Sequence, residues 1–148
     1  MAAYKPTMSY RLIYIFTIHD AQHEGYGKIG KTNFDSVNSY QQLPPTCEEL
    51  NRAAHDRIGQ YTRTAMVEYD LQYTELARRT VTFEDGTTDT ELFDDDDVHN
   101  VLYNSGFSAR KFSNSNQDSE WFEVPLSVAI RAIQAVKEGR TALTTAEK

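Results

Sequence analysis

Between residues 10 and 19 apolar side chains fall on both parities: Leu12, Tyr14, Phe16 and Ile18 on one side, Ile13 and Ile15 on the other. An extended segment apolar on both faces reads as a central strand covered from both sides. A polar stretch, residues 20–24, leads into Gly25-Tyr-Gly-Lys-Ile-Gly-Lys-Thr32, a glycine-rich segment expected to pair back on the first strand as a hairpin. Glycines inside a strand mark a bulge or the close approach of another group. Residues 33–45 read as a loop closed by Pro44-Pro45. Thr46-Cys-Glu-Glu49 matches a capping box and opens a helix to about Tyr61, with Leu50, Ala53, Ala54, Ile58 and Tyr61 as its inward stripe. Arg57 falls inside that stripe, and an arginine on a core-facing surface is costly unless it meets an anion or a cavity.

Farther on, residues 66–74 alternate. Val67, Tyr69, Leu71 and Tyr73 share one face and Glu68, Asp70 and Gln72 the other, as in a half-buried strand. Residues 76–83 extend it or form another strand, turned at Asp85-Gly86. Residues 94–97 cap a helix bearing Val98, Val101 and Leu102 that stops at Gly106. Residues 107–112 look strand-like, 113–119 form a polar loop, and 121–124 a short strand. Pro125 starts a last helix carrying Leu126, Ala129, Ile130, Ile133 and Val136, ended by Gly139, and residues 141–148 read as a frayed end or the cut edge of a longer protein. The fold class expected is α+β, a small, mainly antiparallel central sheet flanked by helices, with a core over about 10–124, a helix over about 125–138 and a tail over 139–148.

Composition narrows this picture. A chain of 148 residues suits one domain, and 39% hydrophobic residues with 9 Tyr and 7 Phe argue against disorder. The single cysteine, Cys47, excludes an internal disulfide framework and fits a reducing compartment. No apolar run is long enough to span a bilayer, and the first residues lack the apolar region of a secretory signal, so a soluble cytoplasmic domain is expected. The net charge of -7 argues against strong non-specific DNA affinity by this chain alone, because such binding is driven by counterion release. It leaves room for a local basic cleft or for delivery to DNA by another domain.

Three sets of residues carry candidate chemistry: Leu12-Ile13-Tyr14, then Lys28-Ile29-Gly30-Lys31-Thr32, then Arg57 with Tyr61 one helical turn later. In this order and spacing they resemble the GIY-YIG nuclease superfamily over roughly residues 10–124. Leu12 stands where that family has its first glycine, and Lys28 where it has the tyrosine of its second motif, as in some restriction-enzyme members. Asp95-Asp-Asp-Val98-His99 resembles an acid-x-x-aliphatic-His pattern of a branch found in phage proteins and fused to restriction-type helicases. Ser119-Glu120-Trp121-Phe122 resembles the same branch's Glu-Trp-Phe signature. The resemblance implies a metal-dependent DNA endonuclease module, with Tyr14, Lys28, Arg57 and Tyr61 catalytic. One divalent cation, Mg2+ or Mn2+, would be held by Asp95 or Glu120, and a DNA-targeting or helicase domain would stand in the same or a partner chain.

Those residue types suit phosphodiester hydrolysis. Tyr14 beside Lys28 could orient water or take its proton, since an ammonium favours phenolate. The Arg57 fork matches phosphate oxygens, and Tyr61 can bond the same water or phosphate. A carboxylate-held dication would polarise the phosphate and steady the leaving 3′ oxygen. Taken singly, each residue also has a plain reading. Tyr14, Tyr61 and Trp121-Phe122 would be core, and Lys28-Ile-Gly-Lys31 lacks the spacing of a phosphate-binding P-loop. Residues 94–97 would be acids complementing a helix dipole. His99 would be packed or exposed, and His19, His23 and His55 have no zinc-ligand spacing with a cysteine. The competing functions are a non-catalytic interaction module on the same fold, and a ligand-binding or regulatory α+β domain unrelated to nucleases.

Overall fold

The computed structural model describes residues 6–111 and 117–148. Phe112 and residues 113–116, expected to end one strand and begin a polar loop, lie outside the described residues. The order is β1 (Met8–Thr17), β2 (Gly27–Ser36), α1 (Glu48–Thr62), β3 (Asp70–Leu76), β4 (Arg78–Thr82), β5 (Thr88–Leu92), α2 (Asp95–Asn104), β6 (Ala109–Lys111), β7 (Asp118–Phe122) and α3 (Leu126–Lys137). Five strands form one antiparallel sheet in the order β3-β1-β2-β7-β6, and β4 with β5 forms a separate hairpin. The α+β class expected from the sequence is the class observed. Among the described residues, no helix is long and apolar enough to cross a membrane.

Strand β1 has a core on each face, as its double parity predicts. Leu12, Tyr14 and Phe16 pack with Leu50, Ala54 and Ile58 of α1. Ile13 and Ile15 pack on the other face with Val98 and Leu102 of α2 and Ala129 and Ile133 of α3. A β-bulge between β1 and β3 pairs Ile15 with Tyr73 but Phe16 with Leu71, so Gln72 is the extra residue. The slip sends Leu71 to the α1 side and Tyr73 to the α3 side, although both belong to one face of the alternation.

Several expectations are corrected. Residues 33–36 continue β2 rather than beginning a loop. The helix caps on Cys47, not Thr46, because Thr46 has φ +62° and its hydroxyl donates to the Pro45 carbonyl. Glu49 is drawn away by Asn38, whose Nδ2 donates to it over 2.6 Å. The inward stripe of α1 runs Leu50, Ala54, Ile58 and Thr62, so Arg57 and Tyr61 lie on its exposed flank. The strand expected over 66–74 begins only at Asp70 and runs to Leu76. The polar-loop residues Asp118 and Ser119 belong to β7.

The C-terminal tail is packed rather than frayed. Leu143 is buried, its N–H donates to Ser105 Oγ over 2.8 Å, and Arg140 clasps Glu147 through two hydrogen bonds of 2.6 and 2.8 Å.

Candidate active site

Gly30 is the point from which the site is built. It pairs directly across from Tyr14, and the Tyr14 ring lies over its backbone so closely that a Cβ there would sit 2.6 Å from Cζ and Oη. Only glycine leaves room for that ring. The phenol, itself buried, emerges beside Tyr61 from α1, and the two hydroxyls stand 3.4 Å apart. A direct O–H···O bond is about 2.7–2.8 Å, so this spacing suits two hydroxyls that address a third oxygen between them. Burial, then the Tyr14 hydroxyl, push the Tyr61 hydroxyl's pKa well up, which keeps it a neutral donor.

Arg57 reaches the same place from one turn earlier on α1, with its guanidinium carbon 6.0 Å from the Tyr61 ring centroid. The side chain is exposed and its Nη1 donates to the neutral Gln60 over 3.0 Å, which leaves the cation available. Because Arg57 is exposed, burial does not require an anion beside it, contrary to the expectation from its place in the helical stripe; what it keeps is a position beside Tyr61.

On the next strands Lys28 is flanked across the sheet by Phe16 and Trp121. Its ammonium is directed not at Tyr14 but into an ion pair with Glu120. Pairing of β2 with β7 covers only Gly27–Phe122 and Lys28–Trp121, after which the strands part. Glu120 lies where they separate. From there it acts electrostatically on Tyr61 on one side and on Asp95 on the other.

Asp95 opens α2. Burial first, then the Glu120 charge, push its carboxyl pKa up. Among the described residues its carboxylate accepts one hydrogen bond, from the Asp96 N–H, 3.1 Å to Oδ1. Glu75 shows how a buried carboxylate is otherwise treated: Gln134 Nε2 donates to both its oxygens at 2.7 and 3.0 Å, with Tyr73 and Lys137 also bonded to it. Two carboxylates within electrostatic reach of each other, one of them buried, offer the oxygen ligands that a hard dication takes.

Arg11 was not singled out from the sequence, and Lys31, Asp94 and His99 were noted there only within longer motifs. Arg11 and Lys31 both clasp Asp94, at 2.7 and 2.6 Å, and Lys31, then Arg11, hold that carboxyl below the usual range. The clasp docks the α2 N-terminus on β1 and β2 and so positions Asp95. Arg11, a lone cation in an apolar strand, was its signal. His99 is buried, with Nε2 2.8 Å from the Ile29 carbonyl and its ring against Phe122.

The structure thus brings Tyr14, Tyr61 and Arg57 together, joins Lys28 to Glu120, and sets Asp95 within electrostatic reach of Glu120. A groove of about 980 Å3 lies elsewhere, lined by Ile15, His23, Tyr26, Glu123 and Leu126 among others. Comparison with protein-family models, with curated proteins and with solved structures finds no match to this chain.

Proposed function

We propose that this chain is a cytoplasmic GIY-YIG-type module that hydrolyses DNA phosphodiester bonds with one divalent cation, Mg2+ or Mn2+. The observation that carries the reading is the meeting of the Tyr14 and Tyr61 hydroxyls, from separate elements, 3.4 Å apart beside an uncommitted Arg57. Arg57 grips a phosphate oxygen with its fork. Tyr61 stays protonated and donates to the phosphate or the attacking water, while Tyr14 Oη holds that water in line. Asp95 and Glu120 are the residues that would hold the cation, and Lys28 keeps Glu120 in place. When bound, the cation polarises the phosphate and steadies the leaving 3′ oxygen. Water oxygen bonds to phosphorus as the P–O3′ bond breaks, and the proton that the water loses passes by way of the Tyr14 hydroxyl and solvent to the departing O3′, which leaves as a hydroxyl.

A net charge of -7 supports a module whose DNA affinity comes from a targeting or helicase domain in the same or a partner chain. A second reading, a catalytically inactive interaction module, draws support from the Lys28–Glu120 pair, which already satisfies one of the two acids. Supercoiled-plasmid nicking with Mg2+ or Mn2+, against chelator and against Arg57→Ala, separates the two. Metal-dependent conversion to open circles, lost in the variant, is expected. Intact plasmid throughout favours the inactive module, and full nicking by Arg57→Ala removes the arginine's role.

A further inference from the structure

We propose that Asp95, Asp96 and His99 form a mixed nitrogen–oxygen site for a transition-metal dication, with His99 Nδ1 as the ligand that favours such an ion over Mg2+. Their ligand atoms, all from the start of α2, lie within 4.8 Å of one another. The proposal rests on Asp95 being a metal ligand, as in the reading above, and requires no reaction at DNA.

The histidine carries the argument. Its side chain is 7% exposed, and its Nε2 stands 2.8 Å from the Ile29 carbonyl oxygen. A carbonyl only accepts, so Nε2 bears a proton and Nδ1 is the ring nitrogen turned to the acids. Metal-binding histidines are oriented in this way, the far ring nitrogen donating to a carbonyl or carboxylate. The ring face is fixed by Phe122, whose centroid is 5.0 Å away. Nδ1 makes no hydrogen bond among the described residues, its neighbour being a carboxylate at ion-pair distance.

What Nδ1 faces is a second acid. Asp96 Oδ1 stands 3.6 Å from it. That is too long for a hydrogen bond, yet close to the roughly 3.4 Å between two ligands each about 2.1 Å from a tetrahedral ion. Asp96 is exposed and open to solvent, which gives an ion its way in, while Asp95 supplies the buried oxygen. One imidazole nitrogen and two carboxylate oxygens within 4.8 Å of one another are a donor set that a single cation can join. Imidazole nitrogen in the set suits Zn2+, Co2+ or Ni2+, whereas an all-oxygen set suits Mg2+.

The test uses the full chain, freed of metal with a chelator and then desalted. Co2+ is titrated in and followed by its visible absorption, Mg2+ separately by calorimetry. One Co2+ per chain is expected, bound at least tenfold more weakly by His99→Gln, with Mg2+ affinity the same in both proteins. Asp96→Asn, a change at an exposed position, should also weaken Co2+ and keeps the test decisive if the histidine variant does not fold. Absence of Co2+ uptake, or undiminished uptake in Asp96→Asn, overturns the proposal. Co2+ uptake through His99 in a chain that never nicks plasmid keeps this site and removes the DNA reading; nicking with Mg2+ and no Co2+ uptake does the reverse.

Discussion

Replacing Gly30 with alanine tests the geometry at the centre of the site. The added Cβ would stand 2.6 Å from Tyr14 Cζ and Oη, against 3.4 Å for ordinary contact, so the ring must retreat by about 0.8 Å. It has little room, being 3% exposed and stacked near Phe16 at 5.9 Å between centroids. Overpacking of this kind costs about 1–3 kcal/mol, less a few tenths regained because alanine has lower unfolded-state entropy than glycine. Urea unfolding should show the midpoint falling with an unchanged slope, and the melting temperature dropping by roughly 2–9 °C. In a Tyr14→Ala background the same change has nothing to strike, so the double-mutant cycle should return a coupling of about 1–3 kcal/mol. The retreating ring also carries its hydroxyl away from Tyr61, so nicking should fall with it. Gly30→Ala with wild-type stability, or a coupling below about 0.5 kcal/mol, would show that Tyr14 does not lie across that glycine.

The other consequences are simpler to state. Arg57→Ala should leave urea stability within about 0.5 kcal/mol of wild type, because the side chain is exposed, while plasmid nicking is lost; matching losses of both would mean a structural role. Asp95 has a raised pKa through burial and Glu120, so the folded state holds its proton more tightly than the unfolded one, and stability drains away as pH rises through the raised value. In chelator Asp95→Asn should therefore be more stable than wild type near neutrality, the gap closing once pH falls below about 4; a variant less stable at every pH contradicts this. Glu147 is shifted the other way, down to about 2 by the Arg140 hydrogen bonds, so its contribution is whole above its ordinary 4.5 and is lost as pH falls toward 2. Glu147→Gln should melt lower than wild type at neutral pH and converge with it across that acid window, and parallel melting curves down to pH 2 would count against the clasp.

What the sequence made legible follows from where burial leaves a mark. Strand β1 announces itself because both faces are covered, and α2 because apolar residues at helical spacing lie between Asp94 and Gly106, the latter at φ +95°. Strand β5 left no mark. All five of its residues are exposed and only pairing with β4 holds it, so no apolar pattern could reveal it. The end of β2 was missed for a related reason, its one apolar side chain, Phe34, being matched by Tyr10 stacking across the sheet rather than by a periodic run. Arg57 was misread because a three-to-four spacing admits two stripes on one helix; the buried one steps by four through Leu50, Ala54, Ile58 and Thr62, and Arg57 lies one residue, about 100°, away from it. The Tyr14–Gly30 juxtaposition could be anticipated only as a glycine in a strand, since register, not composition, decides what covers it.

The charges of the site explain how an acidic chain could still work on a polyanion, and at what expense. Lys28 is tied to Glu120, while Lys31 and Arg11 share Asp94, so three of the cations nearest the site are held by two acids within the fold. Among the described residues, Arg57 alone of these four is bonded to no acid, its partner being the neutral Gln60. Each phosphate neutralised by protein cations contributes about 0.9 to the slope of log affinity against log salt, so a surface offering one open guanidinium gives a shallow slope and weak affinity. On the proposed reading, a dication held by Asp95 or Glu120 would change that balance, because it would offset the repulsion of the two carboxylates and add positive charge to the surface. Tight DNA association in the absence of metal would accordingly need cations from outside this surface, which is the physical reason to look for a targeting domain beside it.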